Sequence, residues 1–407
     1  MNLAERMALL RNVRGQTEEQ FAAETQTAPS LSLGQRLQRL SSRTASPQRK
    51  VDDETVARLL RGEVIAHGLI QIDNTVPLLH RHGKVLLAEL REAPVSLVGL
   101  PKNVALEGLL FFDTETTGLA GGTGTVAILI GLARIESETI RIRQYLLTGF
   151  AGESAMLAAT RDWVDEAAHL VSFNGKSFDA PLLAARYRLA RSRDPLVDKD
   201  HLDLLHATRR AFGGAWEDCR LQTAERRLFG LYRDDDMPGG MIPQVWGEFL
   251  RGGSAEPLKA IARHNLLDVL SLSALLSIVA TTYAQPGHEH ANALSISRAL
   301  KRSGDDALSL AHLTQSYRKL DERAQLELAN LFRRRGEWQA AFEIWQSLAE
   351  NDSLAAALSL AKYYEHVIRD YAEALRWTRA LLAAEPQRHQ QRHTRLLRRT
   401  SPCGHAA

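Results

Sequence analysis

The sequence predicts an α/β domain, a mixed sheet flanked by helices, followed by an all-α tail. Three observations carry that prediction. Residues 107–282 open with successive apolar runs of strand character and then alternate such runs with helical ones. The region from about 287 to 386 has helical periodicity only, and it repeats itself. At 407 residues, the chain is long enough for two or three domains with cores of their own.

Residues 1–50 are rich in Gln, Ser, Thr and Arg and carry a net +4. A basic, mostly disordered region is expected there. Residues 51–106 hold short pieces such as GLIQIDN and HGKVLLAEL and read as a small lead-in segment. In 107–284, the runs GLLFFDTE, TVAILIGLARI, TIRIRQYLL and HLVSFN predict strands. ESAMLAATRDWVDEAA, APLLAARYRLAR, LDLLHATRRAF and PLKAIARHNLLDVLSLSALLSIVA predict helices.

In 285–386, Ala329 answers to Ala361, Trp338 to Tyr371, Ala341 to Ala374 and Leu348 to Leu381. The offset is 32 residues before the inter-helix turn and 33 after it, close to the roughly 34-residue helix–turn–helix repeat. The pattern resembles tetratricopeptide-type repeats, which implies a protein-docking surface. An ordinary helical bundle explains it equally well. Residues 387–407, with five arginines and no acids, are expected to form a basic disordered tail.

The ends are basic, so the middle carries about −6. That suits a cation-binding centre with tails able to touch phosphates. No uninterrupted apolar run approaches the roughly 18 residues of a membrane span, and the first residues lack a secretory pattern. Cys219 and Cys403 give no disulfide framework, so a reducing cytoplasm and no membrane partner are expected.

The chemistry starts in FFDTETTGLAGGTG, residues 111–124. In a strand, Asp113 and Glu115 point to one side, where two bare carboxylates repel unless a proton or a cation lies between them. Hard oxygen ligands suit Mg²⁺ or Mn²⁺. A polar strand end leading into a turn is the plainer account of this motif alone.

In VSFNGKSFDAPLL, a strand ends near Asn174, and Asp179 precedes a helix with Pro181 in its first turn. An N-cap role explains Asp179 but not Asn174 or Phe178. In RHNLLDVLSLSALL, His264 and Asp268 are four apart on one face of a long helix, with Asn265 beside them.

In this order, a DxE strand, an N-x3-F-D junction and a late helical Asp resemble the DEDD exonuclease superfamily. With FNGKSFDAPLL, HLDLLHATRRAF, CRLQTAERRLFG, RDDDMPGGMIPQVW and HNLLDVLSL, the chain is most similar to its YprB-like ribonuclease H-like family. The resemblance implies a ribonuclease H-like fold and two divalent metal ions, Mg²⁺ or Mn²⁺, held by Asp113, Glu115, Asp179 and Asp268. It also implies 3′→5′ attack on ends of single-stranded DNA or RNA.

The superfamily places a base in its third motif, either a Tyr four residues before the Asp or a His five before. Here Arg263 is five before, and His264 takes the tyrosine spacing, which makes His264 the candidate base. Thr114, Thr116, Gly118, Leu119, Asn174, Lys176, Phe178 and Asn265 are expected along the substrate path. The stretch GLAGGTGT reads as a permissive hairpin turn or as a path for the sugar–phosphate backbone. Asp203 reads as an N-cap, and Asp234, Asp235 and Asp236 as a solvated loop or a lid.

Overall fold

The computed structural model describes residues 51–118 and 124–400. The basic first fifty residues, Leu119 with the rest of 119–123, and 401–407 lie outside the described residues. In chain order come α1 (Asp53–Leu60), β1 (Glu63–Ala66), β2 (Leu69–Pro77), the short strands β3 (Arg81–His82) and β4 (Val85–Leu86), then β5 (Leu109–Thr116), β6 (Ala127–Glu136) and β7 (Thr139–Leu147). They are followed by α2 (Glu153–Glu166), β8 (His169–Ser172), α3 (Asp179–Leu189), β9 (Asp200–Asp203) and α4 (Leu204–Phe212). The short α5 (Leu221–Ala224), α6 (Ile242–Leu250) and the long α7 (Leu258–Ala284) complete this part.

Seven of these strands form one sheet in the order β1-β2-β7-β6-β5-β8-β9. The β5–β8 and β8–β9 pairs are parallel and the others antiparallel, which is the mixed sheet the alternation of runs predicts. Residues 51–106 are more than a lead-in, because β2 pairs with β7 from Leu69–Leu147 to Pro77–Thr139. GLIQIDN is thus built into the sheet.

Both faces of the sheet are covered. Leu110, Phe112, Met156, Trp163, Tyr187 and Trp246 are buried on one side. Leu109, Phe111, Ile142, Phe212, Leu276 and Tyr283 are buried on the other. Strand β5 explains where chemistry is possible. Its first four residues are fully buried, whereas the last four are only partly so. Strand β8 pairs with Leu109–Phe111 alone, so Asp113–Thr116 run past its pairing.

Helix α7 packs on β5, β6 and β7. Among the described residues it is the helix long and apolar enough to cross a membrane, with a mean hydropathy of 1.7 over its most apolar window. Yet 72% of that window is buried inside the protein. Its greasiness follows from its place in the core. Gly131 of β6 lies under this helix, opposite Asp113 in register. A Cβ there would overlap Asn265 Oδ1 and approach Val269 Cγ2 to 2.8 Å.

Among the described residues, seven helices form the tail: α8 (Ala293–Arg302), α9 (Asp306–Gln315), α10 (Glu322–Arg334), α11 (Trp338–Glu350), α12 (Leu354–Tyr363), α13 (Tyr371–Ala384) and α14 (Pro386–Thr400). Ala329, Ala341, Ala361 and Ala374 are each fully buried, where small residues let helices approach. A π-helical turn, Tyr364–Ile368, extends α12 before the turn into α13. It takes up the extra residue in the second copy of the repeat.

Helix α14 corrects the expectation of disorder from residue 387 onward. Glu365 is buried and accepts from Arg392 and Arg395 at 2.7 Å each, while Leu396 packs on Ala374 and Leu375. A buried carboxylate needs nearby cations, and two of the tail's arginines supply them.

Gly131→Ala is expected to cost about 1–3 kcal/mol through overpacking. It should also loosen Asn265, and thermal melting with and without Mn²⁺ checks both effects. A wild-type melting temperature in both conditions would show that the strand–helix contact is not tight.

Candidate metal-binding site

Alternation along β5 turns Asp113 and Glu115 toward α7 and Thr114 the other way. Asn265, fully buried on α7, donates from Nδ2 to Asp113 Oδ2 at 2.9 Å. Its own Oδ1 accepts from Gln144 Nε2 at 3.0 Å, and that amide also donates to the Ala262 carbonyl at 2.8 Å. The amide side chain expected to touch substrate therefore holds a carboxylate instead. The Thr114 hydroxyl donates to Asp179 Oδ1 and ties the DxE strand to the second motif. The Thr116 hydroxyl donates to the Gly118 carbonyl at 2.9 Å and shapes the start of the loop.

Asp179 is the first residue of α3, and Phe178 takes the N-cap position. The preceding loop is sharply folded. Asn174 has φ 67°, and a Cβ on Gly175 would clash with Ser172 Oγ and lie 3.3 Å from Asp179 Oδ2. Asp203 caps α4 through Leu205 N at 3.1 Å, as expected. It also accepts from the backbone N–H of Asn174 at 2.7 Å and of Lys176 at 3.2 Å. Asp203 thus pins the loop that presents Asp179. The side chains of Lys176 and Phe178 are exposed, Phe178 by 57%.

On α7, one turn separates His264 from Asp268, and their Nε2–Oδ2 distance is 3.4 Å. The same nitrogen is 3.9 Å from Glu115 Oε1. Ligand atoms of Glu115, His264 and Asp268 all lie within 4.8 Å of one another.

Two residues that sequence reasoning did not place here complete the arrangement. Asp236 Oδ2 is 2.7 Å from His264 Nδ1. Arg233 Nη1 is 2.6 Å from Asp268 Oδ1 and 3.2 Å from Asp236 Oδ2. The guanidinium of Arg233 is anchored in turn by Glu225, which accepts from the Ser271 hydroxyl. His82 closes this chain, its Nε2 2.6 Å from Ser271 Oγ. The run Asp234–Asp236 is therefore partly turned inward: Asp236 is buried against the site. Arg210 Nε donates to the Tyr283 hydroxyl of α7 at 3.1 Å.

The electrostatics are those of carboxylates crowded together. Burial, then Asp268, Glu115 and Asp179, push Asp113 well above the usual carboxylate range, against the bond from Asn265. Burial raises Glu115 to about 7; His264 opposes this, while Asp268, Asp179 and Asp236 add to it. Burial raises Asp179 to about 6, although the Thr114 hydroxyl lowers it. Clustered carboxylate oxygen donors fit a hard divalent cation.

A search among known proteins finds YprB of Bacillus subtilis (strain 168), 32% identical over 317 residues, covering 74% of this chain and 76% of that protein. This chain belongs to the YprB family. Residues 110–280 match the model of the RNase_H superfamily, and all four acids fall within that segment. The fold is accordingly that of an RNase H-like domain with a helical C-terminal region. Among solved structures, the family B DNA polymerase of the archaeon Pyrobaculum calidifontis is 13% identical with a TM-score of 0.33. That match covers 56% of this chain and 29% of the polymerase.

In the metal-free YprB-family chain, Glu115 holds a proton between about 4.5 and about 7 that the unfolded chain releases. Stability from this group is therefore complete below about 4.5 and is lost as pH rises toward about 7. Mn²⁺ is expected to raise the melting temperature more at pH 8 than at pH 5. Asp113→Asn should raise the metal-free melting temperature at pH 8 and erase most of the Mn²⁺ increment. An equal increment in both proteins would place the ion elsewhere.

Proposed function

We propose that the protein is a DEDD-type exonuclease that hydrolyses phosphodiester bonds at the 3′ ends of single-stranded DNA or RNA. The observation that carries this reading is the gathering of Glu115, Asp179 and Asp268 around the buried Asp113, where burial first and neighbouring acids second keep Asp113, Glu115 and Asp179 above the usual carboxylate range. Crowded like charges without a cation serve no structural purpose.

Asp113, Glu115, Asp179 and Asp268 would hold two Mg²⁺ or Mn²⁺ ions. The chemistry such ions supply when bound is activation of a water and neutralisation of charge on the leaving oxygen. The chain's own residues do the rest. His264 accepts the proton of the attacking water at Nε2, with Nδ1–H donated to Asp236. Asn265 and Thr114 keep the Asp113 and Asp179 carboxylates in place. The exposed ring of Phe178 offers a face to the terminal base, and Lys176 offers its ammonium to a phosphate. The helical tail, with buried alanines at repeat-related positions, is read as a tetratricopeptide-like region that docks a protein partner.

One observation favours a second reading, a nucleic-acid-binding scaffold without turnover. Arg233 already supplies Asp268 with a buried counter-charge, as a site that has given up metal would need.

End-labelled single strands of DNA and RNA decide between the two. Wild-type protein with Mg²⁺ or Mn²⁺ should shorten them, and Asp113→Ala should not. Strands that are bound but remain intact with either metal would establish the scaffold. Asp236→Asn is expected to slow cleavage by about 10- to 100-fold with Mn²⁺ binding retained. An unchanged rate would remove His264 from the proton-transfer role.

A further inference from the structure

The helical tail contains a cleft between α10, α11 and α12 with a volume of about 310 Å³, at the lower end of the roughly 300–1,000 Å³ of ligand sites. Its walls carry the rings of Trp338, Trp345 and Tyr363 and the cationic groups of Arg333 and Lys362. Among the described residues, no carboxylate lines it.

The rings are not isolated. Trp338 and Tyr363 stack with centroids 5.7 Å apart at 29°, and Trp345 lies 6.3 Å from Tyr363. Trp345 is 2% exposed, and its indole N–H is buried with no acceptor.

Among the described residues, some cations of this tail are paired and most, these two included, are not. Arg335 pairs with Glu337 at 2.7 Å, Arg376 with Glu373 at 2.8 Å and Arg388 with Glu385 at 3.1 Å. Among the described residues, neither Arg333 nor Lys362 has a carboxylate within ion-pair distance. A merely solvated helix surface accounts for exposed cations. It does not account for their meeting three aromatic rings in a concavity free of acids.

We infer that this cleft binds one nucleotide of a single-stranded nucleic acid. The base lies on the Trp338–Tyr363 aromatic surface, and the phosphate on Arg333 and Lys362. Every base has a π-face and every nucleotide a negative charge, so this pairing is tolerant of sequence. An acidic peptide answers the cations but leaves the rings without a planar partner. The choice of nucleic acid rests on the proposed activity of the carboxylate site, for which the cleft would hold the same strand away from its reacting end.

The test uses full-length protein in EDTA, where no cleavage occurs, with fluorescein-labelled oligo(dT) and oligo(U) 12-mers read by anisotropy. Arg333→Ser/Lys362→Ser, at two exposed positions, is expected to weaken binding and flatten its salt dependence. The loss of one neutralised phosphate changes the log–log slope by about 0.7. Trp338→Ala should weaken binding by roughly 5- to 150-fold, the worth of one stacked base. Unchanged affinity in the double variant, with its fold checked by thermal melting, overturns the inference. So does displacement of the oligonucleotide by equimolar deca-glutamate, which would make the cleft an acidic-peptide site. Asp113→Asn separates the two proposals. If it retains cleft-dependent binding while wild type never cleaves, the nuclease reading fails and the cleft stands.

Discussion

The constraint on which the rest of this structure depends is the concentration of negative charge at the far end of β5. Raising Glu115 from 4.5 to about 7, through burial first and the neighbouring acids second, corresponds to an opposing free energy on the order of 3 kcal/mol. Asp113 and Asp179 add to that burden in the same small volume. A flexible loop would relieve it by moving the groups apart. Here the chain forbids such relief, because β5 is the strand between β6 and β8 and is buried on both faces before it reaches the acids. Helix α7 then packs against the same strand and brings His264, Asn265 and Asp268 to it.

What holds each acid differs, and the differences are informative. Asp113 is held by a neutral amide, itself fixed through Gln144 of β7. Asp179 is held by a hydroxyl from the neighbouring strand, on a loop pinned by Asp203. Neither donor brings a full positive charge, so each fixes geometry while leaving the field largely unrelieved. Asp268 has a guanidinium beside it, Arg233, and His264 faces both Asp268 and Glu115. The site is therefore asymmetric: one wall is partly neutralised by the protein, and Asp113 and Asp179 are left to whatever binds there.

Much of this was legible in the sequence because it follows from local periodicity. The period of two placed Asp113 and Glu115 on one side, and the four-residue spacing placed His264 beside Asp268. The strand and helix runs of 107–282 likewise gave the mixed sheet. What stayed hidden depends on contacts between distant segments, for which periodicity has no signal. Gln144 sits in a strand that reads as ordinary, and its partner Asn265 comes 121 residues later. Arg233 and Asp236 stand in a polar stretch whose composition says solvent. They turn inward because Glu225, Asp268 and His264 lie there. The same limit applies to α14, whose arginines read as disorder until Glu365 is found buried between them. Gly131 was the one available hint, since a glycine in an otherwise apolar strand signals close approach by something across it.

The unusual third motif then acquires a physical explanation. At about 100° per residue, a position four before Asp268 lies about 40° from it around α7, and a position five before lies about 140° away. On a regular helix, the tyrosine spacing is the one that brings a short imidazole to the Asp268 face, and His264 does meet it at 3.4 Å. Arg263, at the alternative spacing, points instead at the loop, with Nη1 3.4 Å from the Asp235 carbonyl. That loop carries Asp236, which orients His264, and Arg233, which engages Asp268. The histidine and the arginine before it thus act on one assembly from two sides of the helix, so an exchange of their positions would lose the imidazole and the loop that orients it together.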